Sequence, residues 1–110
     1  ASDAQLVHLI VAAMSRHVDS AEVQREAIAA LRNLAVDEDI QALVSAAGGI
    51  ERICESMRSH QMEAELQHQG CAALRSLTCC LDNRKVAAHA GGIELVCLAM
   101  QVHTHDVTLQ

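Results

Sequence analysis

An internal repeat of 43 residues constrains this chain more than any other feature of its sequence. Shifting the 110-residue sequence by 43 positions aligns it with itself without a gap, so that AALRNL at 29–34 falls on AALRSL at 72–77. AGGIE at 47–51 falls on AGGIE at 90–94 in the same register. Three residue types recur three times at this spacing: Met14, Met57 and Met100; His17, His60 and His103; Gln24, Gln67 and Gln110. A fixed period of this length indicates a repeat architecture in which each unit packs on its neighbours.

Each repeat is predicted to begin with a short helix that ends at a glycine corner. Asp37 or Asp39 is the expected N-cap, and apolar residues follow at i, i+3, i+4 and i+7 from 40 to 47. Gly48 comes directly after this stripe, at the position where a left-handed residue commonly ends a helix. In the next copy Asp82 is the expected cap, and Gly91 takes the corner.

Two further helices complete the predicted unit. The second runs from about 50 to 60, and the third and longest is expected to start after Ser20 as its N-cap. The chain, 1–110, then divides into a partial repeat with its second helix at 5–19 and third helix at 20–36, one full repeat at 37–80, and a partial repeat at 81–110. A three-helix unit of this size cannot bury its apolar faces alone, so the units are expected to stack into an all-α right-handed solenoid.

The composition limits the classes of protein to which the chain can belong. Apolar residues make up 51% of the chain, but Phe, Trp, Tyr and Pro are absent, so the core must be aliphatic. A net charge of −6 without aromatic side chains argues against nucleic-acid binding. No apolar run approaches the ~18 residues of a membrane span, and the first residues lack the pattern of a secretory signal, so neither feature is expected. Five cysteines without a paired framework favour a reducing compartment, cytoplasmic or nuclear.

With the repeat and its helices established, the sequence resembles the armadillo repeat family over essentially its whole length. DIQALVSAAGGIERICESM, at 39–57, is similar to the family's first helix, glycine corner and second helix. EVQREAIAALRNLA, at 22–35, is similar to its long third helix and includes Asn33 at the position that lines the groove in known members. The resemblance implies a fragment of a longer armadillo solenoid that binds a protein or peptide segment on its concave third-helix surface, without catalysis or a cofactor.

The chain departs from the family pattern at positions that matter for nuclear import. Glu51 and Glu94 stand near the place of a proline that is common after the glycine corner. Import carriers have a Trp where this chain has Ala29 and Ala72, and Ser76 replaces the second Asn. The import-carrier function is therefore not expected.

Helical spacing brings polar residues of the two third helices onto one stripe, which we call the third-helix face. Its predicted partner-binding residues are Arg25, Glu26, Ala29, Arg32, Asn33, His68, Gln69, Ala72, Arg75 and Ser76. Asn33 offers a donor and an acceptor to a peptide backbone, and Arg32 and Arg75 are expected to form a ladder for carboxylates or phosphates. The alternative is that this stripe is only a solvated helix face. A further alternative is a homo-oligomer, formed when exposed apolar repeat ends stack or swap.

The cysteines are mostly predicted to be core residues. Cys54 and Cys97 share one position on the second helix, and Cys71 and Cys79 align with Ile28 and Val36. Cys80 aligns with Asp37 near a helix boundary, where it is expected to be exposed. An adjacent Cys79–Cys80 pair also suggests a thiol redox or metal sensor as an alternative function.

The histidines and glycines suggest structural roles. His17, His60 and His103 close equivalent helices, where they are expected to satisfy terminal carbonyls. The group His103, His105 and Asp106 is only a weak metal-site pattern, and His68 with Cys71 lacks the third group that a catalytic arrangement needs. The glycine pairs are followed by no GK[ST] and preceded by no strand, so they are not phosphate loops.

Overall fold

Short amphipathic segments, separated by capping residues and glycine corners, fold into consecutive helices. The computed structural model describes residues 2–104, and every regular element in that range is an α-helix. The helices are α1 (Asp3–Arg16), α2 (Ala21–Leu34), α3 (Glu38–Ala46), α4 (Gly49–Ser59), α5 (Ala64–Leu77), α6 (Leu81–His89) and α7 (Gly92–Val102). The prediction of an all-α chain is confirmed for these residues.

Side-chain caps start the helices of the first half of the chain. The Ser20 hydroxyl accepts a hydrogen bond from the backbone N–H of Val23 at 3.2 Å, as its predicted role at the start of α2 requires. Of the two candidates for α3, Asp37 is the cap, and its Oδ1 accepts from the Ile40 N–H at 3.0 Å. The prediction that Asp82 caps the next copy is wrong. Cys80 holds the N-cap position without a side-chain bond, and Asp82 lies in the first turn of α6.

Glycine corners join the first and second helices of each repeat. Gly48 and Gly91 have φ angles of +84° and +82°, in the left-handed region that side-chain-bearing residues avoid. The corner turns the chain sharply, so that Gly49 begins α4 directly against α3. A Cβ on Gly49 would lie 2.5 Å from Cγ1 of Val44, which leaves no room for a side chain there.

Helices at equivalent positions of successive repeats contact one another. The second helices α1, α4 and α7 touch in that order, α3 touches α6, and α2 makes the most extensive contact of all with α5. The core runs through these contacts and is aliphatic. Its largest fully buried apolar side chains are Val7, Met14, Ile28, Leu31, Val44, Ile50, Ile53, Met57, Leu66 and Leu77.

The 43-residue period also appears in buried hydrogen bonds. Gln24 Nε2 donates to the carbonyl oxygens of Met14 and His17, and Gln67 Nε2 donates to those of Met57 and His60, at 2.8–3.0 Å. Both glutamines are 2% exposed. Each therefore fastens the end of a second helix to the third helix of the same repeat.

Candidate functional site

The α2 part of the third-helix face is accessible along its length. Glu26 and Asn33 are exposed, and Arg25, Ala29 and Arg32 are half-buried. Arg25 lies 3.3 Å from the Glu26 carboxylate, and this ion pair is solvent-exposed. The face of α2 thus presents an amide, a carboxylate and two guanidinium groups within about three turns of helix.

The α5 part of the face is more closed. Arg75 is exposed, while His68, Gln69 and Ser76 are half-buried. Ala72 is only 6% exposed, so it offers a partner almost no contact surface. The centre of this half of the face therefore has little side-chain surface that a partner could contact.

A hydrogen-bond network joins the two halves of the face. Arg32 Nη1 donates to Gln69 Oε1 at 2.9 Å, and Gln69 Nε2 donates to the Glu65 carboxylate at 3.0 Å. Arg75, the equivalent of Arg32 one repeat later, has no side-chain hydrogen bond or ion pair to any residue in 2–104. The two arginines of the predicted ladder thus differ, because one is held across the repeat interface and one is free to bind.

The cysteines differ in burial, and two of them have thiols with a raised pKa. Cys54 is fully buried, and desolvation raises the pKa of its thiol from 9.0 to about 11, with the Arg58 charge opposing the rise. Burial also raises the pKa of Cys71, which is half-buried. Neither thiol is therefore ionised near neutral pH.

The remaining cysteines correct the sequence prediction. The prediction that Cys79 and Cys97 are core residues is wrong, since both are exposed, and Cys80 is half-buried rather than exposed. Cys79 is exposed because it lies beyond the end of α5. Cys97 lies on α7, and no later helix among the described residues packs on α7 in the way that α5, α6 and α7 pack on α4. The Cys79–Cys80 sensor stays a prediction.

Two of the three equivalent histidines, His60 and His103, bind carbonyl oxygens, but in the preceding repeat rather than in their own helix, and the His17 side chain makes no such bond within residues 2–104. His60 Nε2 contacts the Val18 carbonyl oxygen at 2.8 Å, and His103 Nε2 contacts that of Gln61 at 2.8 Å. Since a carbonyl oxygen only accepts, Nε2 carries the proton in both bonds. In residues 2–104, no group of three or more His, Cys, Asp or Glu side chains is placed to hold a metal ion. His105 and Asp106, from the weak metal pattern, lie outside the described residues.

Sequence reasoning missed two features that the structure reveals. Gln24 and Gln67 are visible in the sequence as part of a threefold register, but the register alone does not show that their buried amides fasten helices. The second feature is an apolar groove of about 470 Å³ between α5, α6 and α7. Comparing the repeat at 81–104 with the repeat before it would have located this groove, because no later helix among the described residues covers its apolar positions.

Comparison with known proteins adds no identification. No family model, curated protein or solved structure matches the chain. Within the described range, the helices are all too short or too polar to cross a bilayer.

Proposed function

We propose that this chain is an armadillo-type repeat module, a right-handed solenoid of three-helix units, that binds an extended segment of a partner protein. The observation that carries the proposal is the ordered contact between equivalent helices, α1 with α4 with α7, α2 with α5, and α3 with α6. Stacking of this kind extends one helix face from repeat to repeat, which is how repeat proteins form long binding surfaces. The resemblance of the sequence to the armadillo family supports the same function by analogy.

The chemistry of the third-helix face suits a peptide with acidic side chains. The exposed amide of Asn33 can donate to a backbone carbonyl and accept from a backbone N–H of an extended chain. Arg25 and Arg75 supply guanidinium groups that bind carboxylates in a bidentate manner. The Arg32–Gln69 bond joins the two helices that carry these groups, so it supports the spacing between the helices before a partner binds.

Selection of peptides against the full chain tests the proposal. Peptides chosen from a displayed random library are synthesised with a fluorescent label, and their affinities are measured by anisotropy. Asn33→Ala is expected to weaken binding by about tenfold, because a central polar anchor is lost. Gln101→Ala is the matched control, since it removes an exposed amide from α7, away from this face. Equal affinity of both variants for the selected peptides would refute binding at the third-helix face.

A further inference from the structure

A neutral amide holds Arg32 across the contact between α2 and α5. Arg32 Nη1 donates to Gln69 Oε1 at 2.9 Å, and Gln69 Nε2 donates to the Glu65 carboxylate at 3.0 Å. A guanidinium only donates hydrogen bonds and a carboxylate only accepts them, so a single orientation of the Gln69 amide satisfies both neighbours. The three side chains therefore form one ordered series of hydrogen bonds between the two helices.

The hydrogen bond to Gln69 holds Arg32 in place but does not neutralise its charge. At the equivalent position of α2 the chain has a carboxylate, Glu26, which forms an ion pair with Arg25 at 3.3 Å. Within residues 2–104 the Arg32 guanidinium forms no ion pair, and Gln69 is its one side-chain hydrogen-bond partner. Since this bond uses only Nη1, Nε and Nη2 retain donors for a planar carboxylate, which can accept two parallel hydrogen bonds.

Arg32 lies beside the residue that is proposed to bind the backbone of the partner. It is half-buried and directly precedes the exposed Asn33 in α2. Adjacent Cα atoms are about 3.8 Å apart, and an extended chain advances about 3.3 Å per residue. A carboxylate that reaches Arg32 therefore belongs to a residue within about two positions of the peptide group bound by Asn33.

We infer that Arg32 selects an acidic side chain in the bound segment, and that Gln69 and Glu65 are positioning residues for its guanidinium. The inference rests on the extended-segment binding proposed for the third-helix face, and it adds a requirement for Asp or Glu at one place in the segment. Preorganisation is the physical reason, because an arginine that is already held in its binding geometry loses less side-chain entropy when a carboxylate binds.

Peptides selected from the displayed library are the probe, together with variants in which each Glu or Asp is replaced by Gln or Asn. The ratio of the two affinities for the full chain, measured by anisotropy, reports recognition of the carboxylate. We expect one acidic position at which the neutral peptide binds about tenfold more weakly. Arg32→Met should bring this ratio close to one, because it keeps the aliphatic stem and removes the guanidinium.

Gln69→Glu separates the position of Arg32 from its charge. Glutamate at 69 still accepts from the guanidinium, so Arg32 stays in place while its charge becomes paired, as that of Arg25 is by Glu26. We expect this variant to lose the preference for the acidic peptide and to bind the neutral peptide within about twofold of the native chain. Gln101→Glu is the matched control, because it adds the same charge at an exposed residue of α7 and should leave the ratio unchanged.

Glu65→Ala tests the positioning role by the direction of its effect. Removal of a nearby negative charge would by itself strengthen the binding of an acidic peptide. Loss of the carboxylate that orients the Gln69 amide should instead weaken that binding several-fold and leave the neutral peptide unchanged. Glu65→Gln keeps an acceptor for Gln69 Nε2 and should restore the affinity ratio.

Three results would overturn the inference. They are selected peptides that need no acidic residue, an affinity ratio that Arg32→Met leaves unchanged, and tighter binding of the acidic peptide to Glu65→Ala than to the native chain. If Asn33→Ala still weakens binding in any of these cases, the extended-segment proposal stands without the acidic requirement. A library that yields no binding peptide, or equal affinities of Asn33→Ala and Gln101→Ala, would overturn the extended-segment proposal and this inference with it.

Discussion

At the scale of single residues, a buried glutamine fastens the second helix of each repeat. Gln67 Nε2 donates to the carbonyl oxygens of Met57 and His60 at 3.0 and 2.9 Å, and Gln67 is 2% exposed. Gln67→Leu preserves most of the volume but removes this donor from both carbonyls. We expect the free energy of unfolding in urea to fall by about 1–3 kcal/mol, the cost of leaving buried polar groups unsatisfied.

A surface glutamine provides the control for this substitution. Gln61 is exposed, and its Nε2 donates to the Arg58 carbonyl at 3.2 Å, where water can replace it. Gln61→Leu should change the free energy of unfolding by less than about 0.5 kcal/mol. If the free energy of unfolding falls equally in the two variants, the buried amide of Gln67 does not stabilise the contact between the second and third helices.

The thiol of Cys54 links stability to pH. Burial raises its pKa to about 11 from 9.0 in the folded chain. The unfolded chain therefore ionises first, and the stability present below pH 9 is lost as the pH rises towards 11. We expect the free energy of unfolding to fall by about 2–3 kcal/mol more in the native chain than in Cys54→Ala over this range. Cys97→Ala retains Cys54 and should retain the full pH dependence; a flat profile in it would argue against Cys54 as the origin.

The sequence pattern predicted burial correctly only for residues whose neighbouring repeats lie within the described part of the chain. Cys54 was correctly placed in the core, because its stripe is covered on both sides. Cys97 occupies the same position in the sequence period but is exposed. The sequence pattern identifies the apolar face of a helix. The exposure of a residue on that face depends on which other helix packs against it, and the sequence of the helix itself does not show this.

At the scale of helices, histidines connect the turn after each second helix to the corresponding turn of the preceding repeat. The bonds from His60 to Val18 and from His103 to Gln61 are both 2.8 Å long. Among residues 2–104, His17 at the same register has no such side-chain bond. His60→Ala and His103→Ala should each lower the free energy of unfolding by about 0.5–1.5 kcal/mol. His17→Ala is the internal control, and an equal loss there would show that helix propensity, not the bond, sets the effect.

Helix boundaries followed from local chemistry where a side chain caps the helix. Ser20, Asp37 and Gly48 have short-range roles that depend only on nearby backbone, so sequence patterns find them. The cap of α6 was misassigned because Asp82 has the favoured chemistry. The repeat places Cys80 at the position of Asp37, so the register was the better guide than residue type.

At the scale of the whole molecule, contacts between repeats decide which surfaces remain open. The period and apolar stripes predict that repeats touch, and α2 with α5 confirms that contact. They do not reveal that Arg32 is hydrogen-bonded to Gln69 whereas Arg75 has no side-chain partner among residues 2–104. That difference arises because α5 covers one side of α2, whereas the matching side of α5 lines the apolar groove between α5, α6 and α7, which no later helix among the described residues covers.

The α2–α5 contact should make the described helices unfold as one unit. Leu31 on α2 is fully buried, and Leu31→Ala is expected to cost about 2–5 kcal/mol. Because α5 also packs on α4, the loss should lower the unfolding midpoint seen by circular dichroism and by alkylation of buried Cys54 equally. Leu81→Ala, at a residue 62% exposed, should shift neither midpoint appreciably. If Cys54 keeps its native midpoint while helix content is lost earlier, the repeats unfold independently and the stack is not cooperative.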